Sequence, residues 1–454
     1  MPTLMASISG IRGIVGDGLD PNVLVKYLSA YAEFIGKGTV VVGRDARITG
    51  DMVQSIVTGT LMAKGIDVVE IGIVPTPTVQ FTVKTLKAQG GIAISASHNP
   101  NEWNALKLLN STGQFMTQDE NDKLQKIIKR IEKDGDNYKS WNKIGVKKIY
   151  KSALKNHVES VLNLKYIEKS KIKRKKFKVL VDCVNGAGVY VIPQMLKELG
   201  CKVIEINCDK SGIFPRLPEP IPENLKKTMQ AVKKEKADIG IVVDPDVDRL
   251  VLITEKGEPF GEENTITQAV KFILSKRKGN VVVNLSTTRG VDDIAHDAKS
   301  KVFRSPVGEA NVVKMMKEEK AIIGGEGSGG VIYPAIHYGR DALVGVAITL
   351  QHLLEFKGKM SELKDGLPCY FIVKKKIDLG DANPDNIIKK LVKQYGEEKS
   401  NTLDGLRLDF TNHWVHFRKS NTEPIIRIIV EGEDKNEAEL LAEKYLKDIK
   451  KLSK

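Results

Sequence analysis

Three valine-rich runs break off at polar loops, and each is followed by a stretch able to form a helix. Val40-Val41-Val42 runs into Gly43-Arg44-Asp45, Val179-Leu180-Val181 into Asp182-Cys183-Val184-Asn185-Gly186, and Val281-Val282-Val283 into Asn284-Leu285-Ser286. Short β-branched runs that stop at Gly, Asp or Asn and give way to helical periodicity are the mark of parallel strands joined by crossover helices. The chain is therefore expected to build α/β units, and the likeness among the three runs predicts a triplicated α/β domain.

With 454 residues the chain is long enough for roughly three or four domains. Residues 119 to 178 are rich in Lys and poor in strand signals, which places a first junction near residue 150. A second falls at the charged turn Lys256-Gly257-Glu258, and a third between Phe356 and Pro368, after the apolar helix candidate Asp341 to Phe356. The expected segments are 1–150, 151–256, 257–366 and 367–454. The last segment reads differently, with strands around Leu406 to Phe410, Trp414 to Phe417 and Ile425 to Val430, then a helix from Lys435, so a smaller α+β domain is expected there.

Charge favours anionic partners, since 71 Lys+Arg stand against 57 Asp+Glu for a formal net charge of +14. That balance alone does not choose between nucleic acid and small phosphates. Lysine runs at 171–178 and 445–454 read as solvated faces, and no basic stretch is interleaved with aromatics as a nucleic-acid groove would be. Cys183, Cys201, Cys208 and Cys369 form no CxxC pair, and a reducing compartment follows. No apolar run approaches the roughly 20 residues that span a bilayer. The expectation is a cytoplasmic protein.

Four motifs carry chemistry. In the first, the apolar Gly91-Ile92-Ala93-Ile94 delivers Ser95, Ser97, His98 and Asn99 to a loop that Pro100 keeps from becoming helical. Loops at strand C-termini are where α/β proteins place ligands. A serine there can act as nucleophile or carry a phosphoryl group, with His98 as a donor; the alternative is a polar turn whose hydroxyls cap the next element. In the second, Asp244, Asp246 and Asp248 follow one another at every second position between the apolar runs Ile239–Val243 and Leu250–Thr254, with Arg249 after them. Three such carboxylates repel one another unless a cation joins them, and hard oxygen ligands imply Mg²⁺. An EF-hand would need Gly where Arg249 stands, and helices rather than strands on its flanks. An aspartyl-phosphate enzyme would use Asp244 as nucleophile and Asp246 as acid/base, although Asp248 stands where that family usually has Thr or Val. The third motif, Gly324 to Gly330, surrounds Glu326 and Ser328 with glycines, which suits either a loop whose backbone approaches a ligand while two polar side chains bond sugar hydroxyls or a flexible turn. The fourth, Arg418 to Arg427, gathers two arginines with Ser420, Asn421 and Thr422 at a turn between strands, the donor set a phosphate needs, although by itself it reads as an exposed hairpin turn. Arg12, Lys107 and the loop Ser305-Pro306-Val307-Gly308-Glu309 carry little by themselves, and the histidines other than His98 show no metal-ligand spacing.

Together and in this order the motifs resemble those of the α-D-phosphohexomutase family, which comprises phosphoglucomutases, phosphomannomutases and phosphoglucosamine mutases. The resemblance covers nearly the whole chain. It implies three similar α/β domains followed by a smaller α+β C-terminal domain around a central cleft. It implies that Ser97 carries the phosphoryl group and, with Asp244, Asp246 and Asp248, holds one Mg²⁺ per subunit, with His98 and Arg249 beside it. By the same resemblance Glu326 and Ser328 contact sugar hydroxyls, and Arg418, Ser420, Asn421, Thr422 and Arg427 hold the non-reacting phosphate. Arg12 and Lys107 match active-site cations that assist proton transfer. The implied reaction interconverts hexose 6-phosphate and hexose 1-phosphate, with a hexose 1,6-bisphosphate as intermediate and activator. Two departures stand out: Gly330 where many relatives have His, and Asn104-Ala105 where Asn-Gly is usual. The forms Ile94 to Pro100 and Val307-Gly308-Glu309 are closer to phosphoglucosamine mutases, so glucosamine phosphate is the expected sugar, with phosphomannomutase or phosphoglucomutase as the alternative. The expected partner is a phosphosugar, with no nucleic acid and no membrane, in a monomer or homodimer.

Overall fold

The computed structural model describes residues 3–8, 10–380, 382–396, 400–419 and 425–453. Two compact units emerge, one made of the chain up to Thr265 together with Gly329–Lys364, the other of Ile266–Ser328 with the chain from Asp365 onward.

In the first unit, the first valine run lies at the centre of its sheet. Strand Thr39–Arg44 pairs in parallel with Gly90–Ile94 on one side and Asp67–Ile73 on the other, and Lys147–Ile149 extends the parallel part. Trp103–Leu109 then runs antiparallel to Gly90–Ile94, and Gly10–Val15 antiparallel to Trp103–Leu109. Helices cover this sheet through apolar residues about one turn apart: Leu24, Leu28 and Tyr31 from Pro21–Ile35, and Val53, Val57 and Leu61 from Gly50–Ala63, packed with Val40, Val42, Ile92 and Ile94. Gly90 allows the closest of these approaches, because a Cβ there would lie 2.2 Å from the Tyr31 hydroxyl. That hydroxyl instead donates to Leu109 O at 2.6 Å and accepts from Gly91 N at 2.9 Å.

The second valine run, strand Lys178–Asp182, sits between Lys202–Ile206 and Ile239–Val243, both parallel to it. Leu250–Thr254 closes the sheet antiparallel to Ile239–Val243, with Val243 opposite Leu250. The acidic motif is therefore the hairpin turn between two fully buried strands and not a crossover to a helix. Within it Val247 has φ +62°, a strained conformation for a β-branched residue. Two backbone hydrogen bonds hold it there, from Val247 N to Asp244 O and from Ala342 N to Val247 O.

In the second unit the third valine run, strand Val281–Asn284, lies between parallel neighbours Val302–Ser305 and Ile323–Glu326. The C-terminal sheet is antiparallel, in the order Phe371–Asp378, Ile425–Gly432, His413–Lys419, Leu406–Asp409, Ser400–Asn401. Helices Pro384–Tyr395 and Lys435–Leu452 cover it, capped by the side chains of Asn383 and Asp434. Three α/β domains and an antiparallel C-terminal domain are thus the fold. Strand Phe371–Asp378 escaped the sequence reading because Lys374, Lys375 and Lys376 break its apolar pattern. It lies at the edge of the sheet, where lysines discourage pairing with other chains. Among the described residues no helix is long and apolar enough to cross a membrane.

Candidate active site

Strand Gly90–Ile94 ends one residue before Ser95, which serves as a strut. Its Oγ donates to Asp45 Oδ2 at 2.7 Å and accepts from Ser97 N at 3.0 Å. Ser97 itself is 7% exposed and sits at φ +50°, again a conformation that L-residues adopt only under constraint. The constraint is Arg47, which the sequence reading did not single out. Its Nε donates to Asp45, its Nη1 to Pro100 O and Trp103 O, and its Nη2 to Ser97 O and Asn99 O, both at 2.7 Å. The guanidinium also stacks over the Phe214 ring at 4.7 Å. Burial raises the Asp45 carboxyl, and Arg47 opposes that rise. The only hint in the sequence was an Asp and an Arg just past a buried strand, two residues apart.

Ser97 Oγ donates to Asp244 Oδ2 at 3.1 Å. The other Asp244 oxygen accepts the amides of Asp248 and Arg249 at 3.1 and 3.2 Å, which ties the hairpin turn to its first residue. Asp246 Oδ2 accepts from Lys107 Nζ at 2.6 Å and from the Thr76 hydroxyl. Asp248 Oδ2 accepts from Arg340 Nη2 at 2.6 Å. Around this core, His98 Nδ1 lies 3.4 Å from Ser97 Oγ, Arg12 Nη1 donates to Asn99 Oδ1 at 3.3 Å, and Arg249 Nε lies 3.9 Å from Asp248. Eight residues named from the sequence, Arg12, Ser97, His98, Lys107, Asp244, Asp246, Asp248 and Arg249, thus meet in one place. Thr76 and Arg340 join them unforeseen, since nothing local in the sequence links either to the acidic turn.

The electrostatics follow from burial. Asp244 is pushed up by loss of solvent and then by Asp248 and Asp246. Burial alone would raise Asp246 too, yet Lys107 holds it well below the usual carboxylate range. Lys107 is the mirror case: burial would lower it, and Asp246 and Asp248 outweigh that. Burial, with Arg249 and Arg12 nearby, drives His98 down to about 3, so it is a neutral imidazole at physiological pH. Burial also lowers Arg12.

Carboxylate oxygens of the three aspartates lie within 4.8 Å of one another, and all three residues are at most 1% exposed. Among the described residues, Asp246 Oδ1 and Asp248 Oδ1 are buried with no hydrogen-bond partner. Desolvated anionic oxygens without a donor are costly, and a hard divalent cation is the group that compensates them. The acidic triad fits a metal site.

In the second unit, Glu326 ends strand Ile323–Glu326 and is 5% exposed. Its Oε1 accepts from Asn284 Nδ2 at 2.9 Å and from Gly308 N at 3.0 Å. Asp404 Oδ2 accepts from Val307 N at 3.0 Å and from Arg418 Nε at 2.8 Å. The Val307-Gly308 loop is therefore bound to Glu326 on one side and, through Asp404, to Arg418 on the other. Arg427 stands opposite Arg418 on the neighbouring strand and is exposed. Ser328 lies in the turn after Glu326, partly exposed. Ser420, Asn421 and Thr422 lie outside the described residues.

A buried serine hydroxyl thus donates to an acidic cluster that fits a metal site, on an α/β framework. Four domain descriptions of the phosphoglucomutase/phosphomannomutase family match the chain: α/β/α domain I over residues 5–135, domain II over 155–257, domain III over 263–370 and the C-terminal domain over 373–447. A probable phosphoglucosamine mutase of Methanopyrus kandleri is 35% identical over 96% of this chain and 96% of its own. A phosphoglucomutase/phosphomannomutase of Thermococcus kodakarensis is 36% identical over 94% of each. The crystal structure of a phosphoglucomutase/phosphomannomutase family protein from Burkholderia thailandensis superposes with a TM-score of 0.85 at 25% identity, covering 99% of this chain and 98% of that one. The chain belongs to the phosphoglucomutase/phosphomannomutase family, the phosphohexomutases, which are isomerase-class phosphotransferases.

Proposed function

We propose that this protein interconverts glucosamine 6-phosphate and glucosamine 1-phosphate through a phosphorylated Ser97 and a 1,6-bisphosphate intermediate, which also serves as activator. The observation that carries the reading is the Ser97 hydroxyl, buried and hydrogen-bonded to a carboxylate cluster that still has bare oxygens. Asp244, Asp246, Asp248 and the Ser97 phosphate would hold Mg²⁺, which when bound supplies positive charge to the phosphoryl oxygens. In the forward half-reaction the bond from phosphorus to Ser97 Oγ breaks as a bond from phosphorus to a sugar hydroxyl oxygen forms. The hydroxyl proton leaves to a base in the site, and Oγ ends as the alkoxide that a proton returns to. After the bisphosphate turns over, the same steps run in reverse on its other phosphate. Lys107, Arg12 and Arg249 oppose the phosphoryl charge, Arg12 and Lys107 assist the proton's passage, and His98 contributes a hydrogen bond. Glu326 and Ser328 read the sugar hydroxyls, and Arg418 and Arg427 with Ser420, Asn421 and Thr422 receive the phosphate that does not react. The four segments divided near residues 150, 256 and 366, the cytoplasmic setting and a monomer or homodimer belong to this reading.

Glucosamine is favoured by the loop forms around Ser97 and Gly308 and by the name of the Methanopyrus relative. The Thermococcus relative's name supports glucose and mannose phosphates as the second reading. An aspartyl-phosphate enzyme is disfavoured because Asp248 stands where that class usually has Thr or Val. The deciding assay offers glucosamine 6-phosphate, glucose 1-phosphate and mannose 1-phosphate, each with its 1,6-bisphosphate, and maps phosphate in the protein. Turnover of glucosamine phosphate above the others with label on Ser97 is expected. Failure to interconvert any of the three would end the proposal.

A further inference from the structure

His157, His337 and Asp341 are separated widely in the chain, yet their side chains meet in the interior of the first unit, each at most 2% exposed. His157 Nε2 lies 2.9 Å and His337 Nε2 3.2 Å from the same oxygen, Asp341 Oδ2. The other Asp341 oxygen accepts the amides of Leu343 and Val344 and so caps helix Ala342–Phe356. On its far side His157 Nδ1 faces the Thr78 hydroxyl at 3.0 Å, and its ring stacks on Phe81. His157 thus bridges the Thr78 hydroxyl and Asp341 through its two ring nitrogens, and His337 meets the same Asp341 oxygen from another side.

This cluster connects to both ends of the acidic turn. Thr78 belongs to helix Thr76–Leu86, whose first residue holds Asp246 through Thr76 N at 2.9 Å and through the Thr76 hydroxyl. Asp341 lies between Arg340, which holds Asp248, and Ala342, whose amide holds the strained Val247 carbonyl. A closed ring of contacts therefore runs from Asp246 through Thr76, Thr78, His157 and Asp341 to Arg340 and Asp248. We infer that His157 and Asp341, braced by His337, are positioning residues that fix the spacing of Asp246 and Asp248 and thereby set the cation affinity of the turn. The effect on turnover rests on the function proposed above; the effect on cation binding does not.

The same three side chains place ligand atoms within 4.8 Å of one another, so a buried metal is the competing account. The hydrogen-bonded account is favoured because both Nε2 atoms converge on one oxygen, and because no fourth ligand accompanies the three among the described residues.

The test measures Mn²⁺ binding to the full chain by electron paramagnetic resonance, alongside metal analysis and steady-state kinetics. His157→Phe keeps the ring stack but loses both hydrogen bonds, and should weaken Mn²⁺ binding about tenfold, the usual scale for residues that orient metal ligands. His157→Gln, which restores a donor toward Asp341, should lie within about threefold of the parent, a rescue that lost packing would not give. Turnover should fall through kcat at sub-saturating cation while the sugar-phosphate KM holds. Should His157→Phe fail to fold, Thr78→Val, isosteric and lacking only the hydroxyl, should give a smaller shift in the same direction. Wild-type Mn²⁺ affinity in the folded variants would overturn the inference, as would one equivalent of zinc retained by the parent and absent from His157→Phe. A parent protein without mutase activity whose Mn²⁺ affinity still responds would refute the proposed function and leave the clamp standing.

Discussion

Two buried charge clusters adjoin Ser97, and they are wired in opposite ways. In the Arg47–Asp45 cluster all five guanidinium hydrogens are placed, one set on Asp45 and four on the carbonyls of the loop. In the Asp244, Asp246 and Asp248 cluster two buried oxygens have no donor. Asp246 and Asp248 are paired with Lys107 and Arg340, but each leaves one buried oxygen without a hydrogen bond; an unmade buried hydrogen bond costs about 1–3 kcal/mol, so folding alone favours the first arrangement over the second. The closed cluster holds a strained serine in place; the open one is left incomplete for a ligand. Between these two clusters, completeness of hydrogen bonding marks a difference that burial and charge do not.

The sharpest break between the two is at the serine they share. Ser97→Ala should cut mutase turnover by about 10⁴-fold or more, the scale for loss of a nucleophile. Stability should change by about 1 kcal/mol, since the hydrogen bond to Asp244 and the long contact with His98 are lost. Steady-state kinetics with urea unfolding checks both, and turnover near the parent level would dissolve the phosphoserine account. Next in size, Arg47→Met opens the closed cluster and leaves Asp45 buried without its partner, for a stability loss of about 3–5 kcal/mol. A calorimetric melt within a degree or two of the parent would show that the five hydrogen bonds do not hold the loop.

Asp244→Asn tests the open cluster from the other side. Burial and two neighbouring acids already push the Asp244 carboxyl up, so removing its charge relieves strain when no cation is bound. In chelator the variant should be as stable as the parent or about 1 kcal/mol more so, while mutase activity falls about 10²-fold or more. A variant that unfolds in chelator would place Asp244 with the scaffold.

The open cluster was legible in the sequence and the closed one was not. Three aspartates at alternate positions between apolar strands advertise their mutual repulsion, and Ser97 and Glu326 announce themselves as polar residues at the ends of buried strands. The three valine runs showed the sheet centres, because a strand covered on both faces has an unbroken apolar pattern. Arg47, Arg340, Asp404 and the His157–Asp341 pair carry no such signature. Each acts through partners 50 to 184 positions away, and only the folded chain brings them together. Edge elements such as Phe371–Asp378 were hidden for a related reason, since exposure lets lysine replace the pattern that burial enforces.

The smallest effect probes closed clusters in the second unit. His413 lies between Asn412 and the Tyr445 hydroxyl, and His416 between the Ser286 hydroxyl and the Asp404 carbonyl. Burial drives both down to about 4, aided for His413 by Arg289 and Lys444 and opposed for His416 by the Asp404 contact. Unfolded, each titrates near 6.5, so below that pH the unfolded chain binds more protons than the folded one. The stability these depressed histidines contribute is complete at neutral pH and drains away as pH falls from about 6.5 toward 4. Between pH 7 and pH 6 the loss should be on the order of 1 kcal/mol for the two together. Urea unfolding followed by tryptophan fluorescence, with Trp103 and Trp141 replaced by Phe so that buried Trp414 alone reports, reads it. His416→Gln, which cannot titrate, should remove about half of the slope while leaving the Mn²⁺ affinity of the acidic turn untouched. An unchanged slope would assign the acid sensitivity to other groups, and a changed Mn²⁺ affinity would show that this closed cluster is not confined to holding its own sheet.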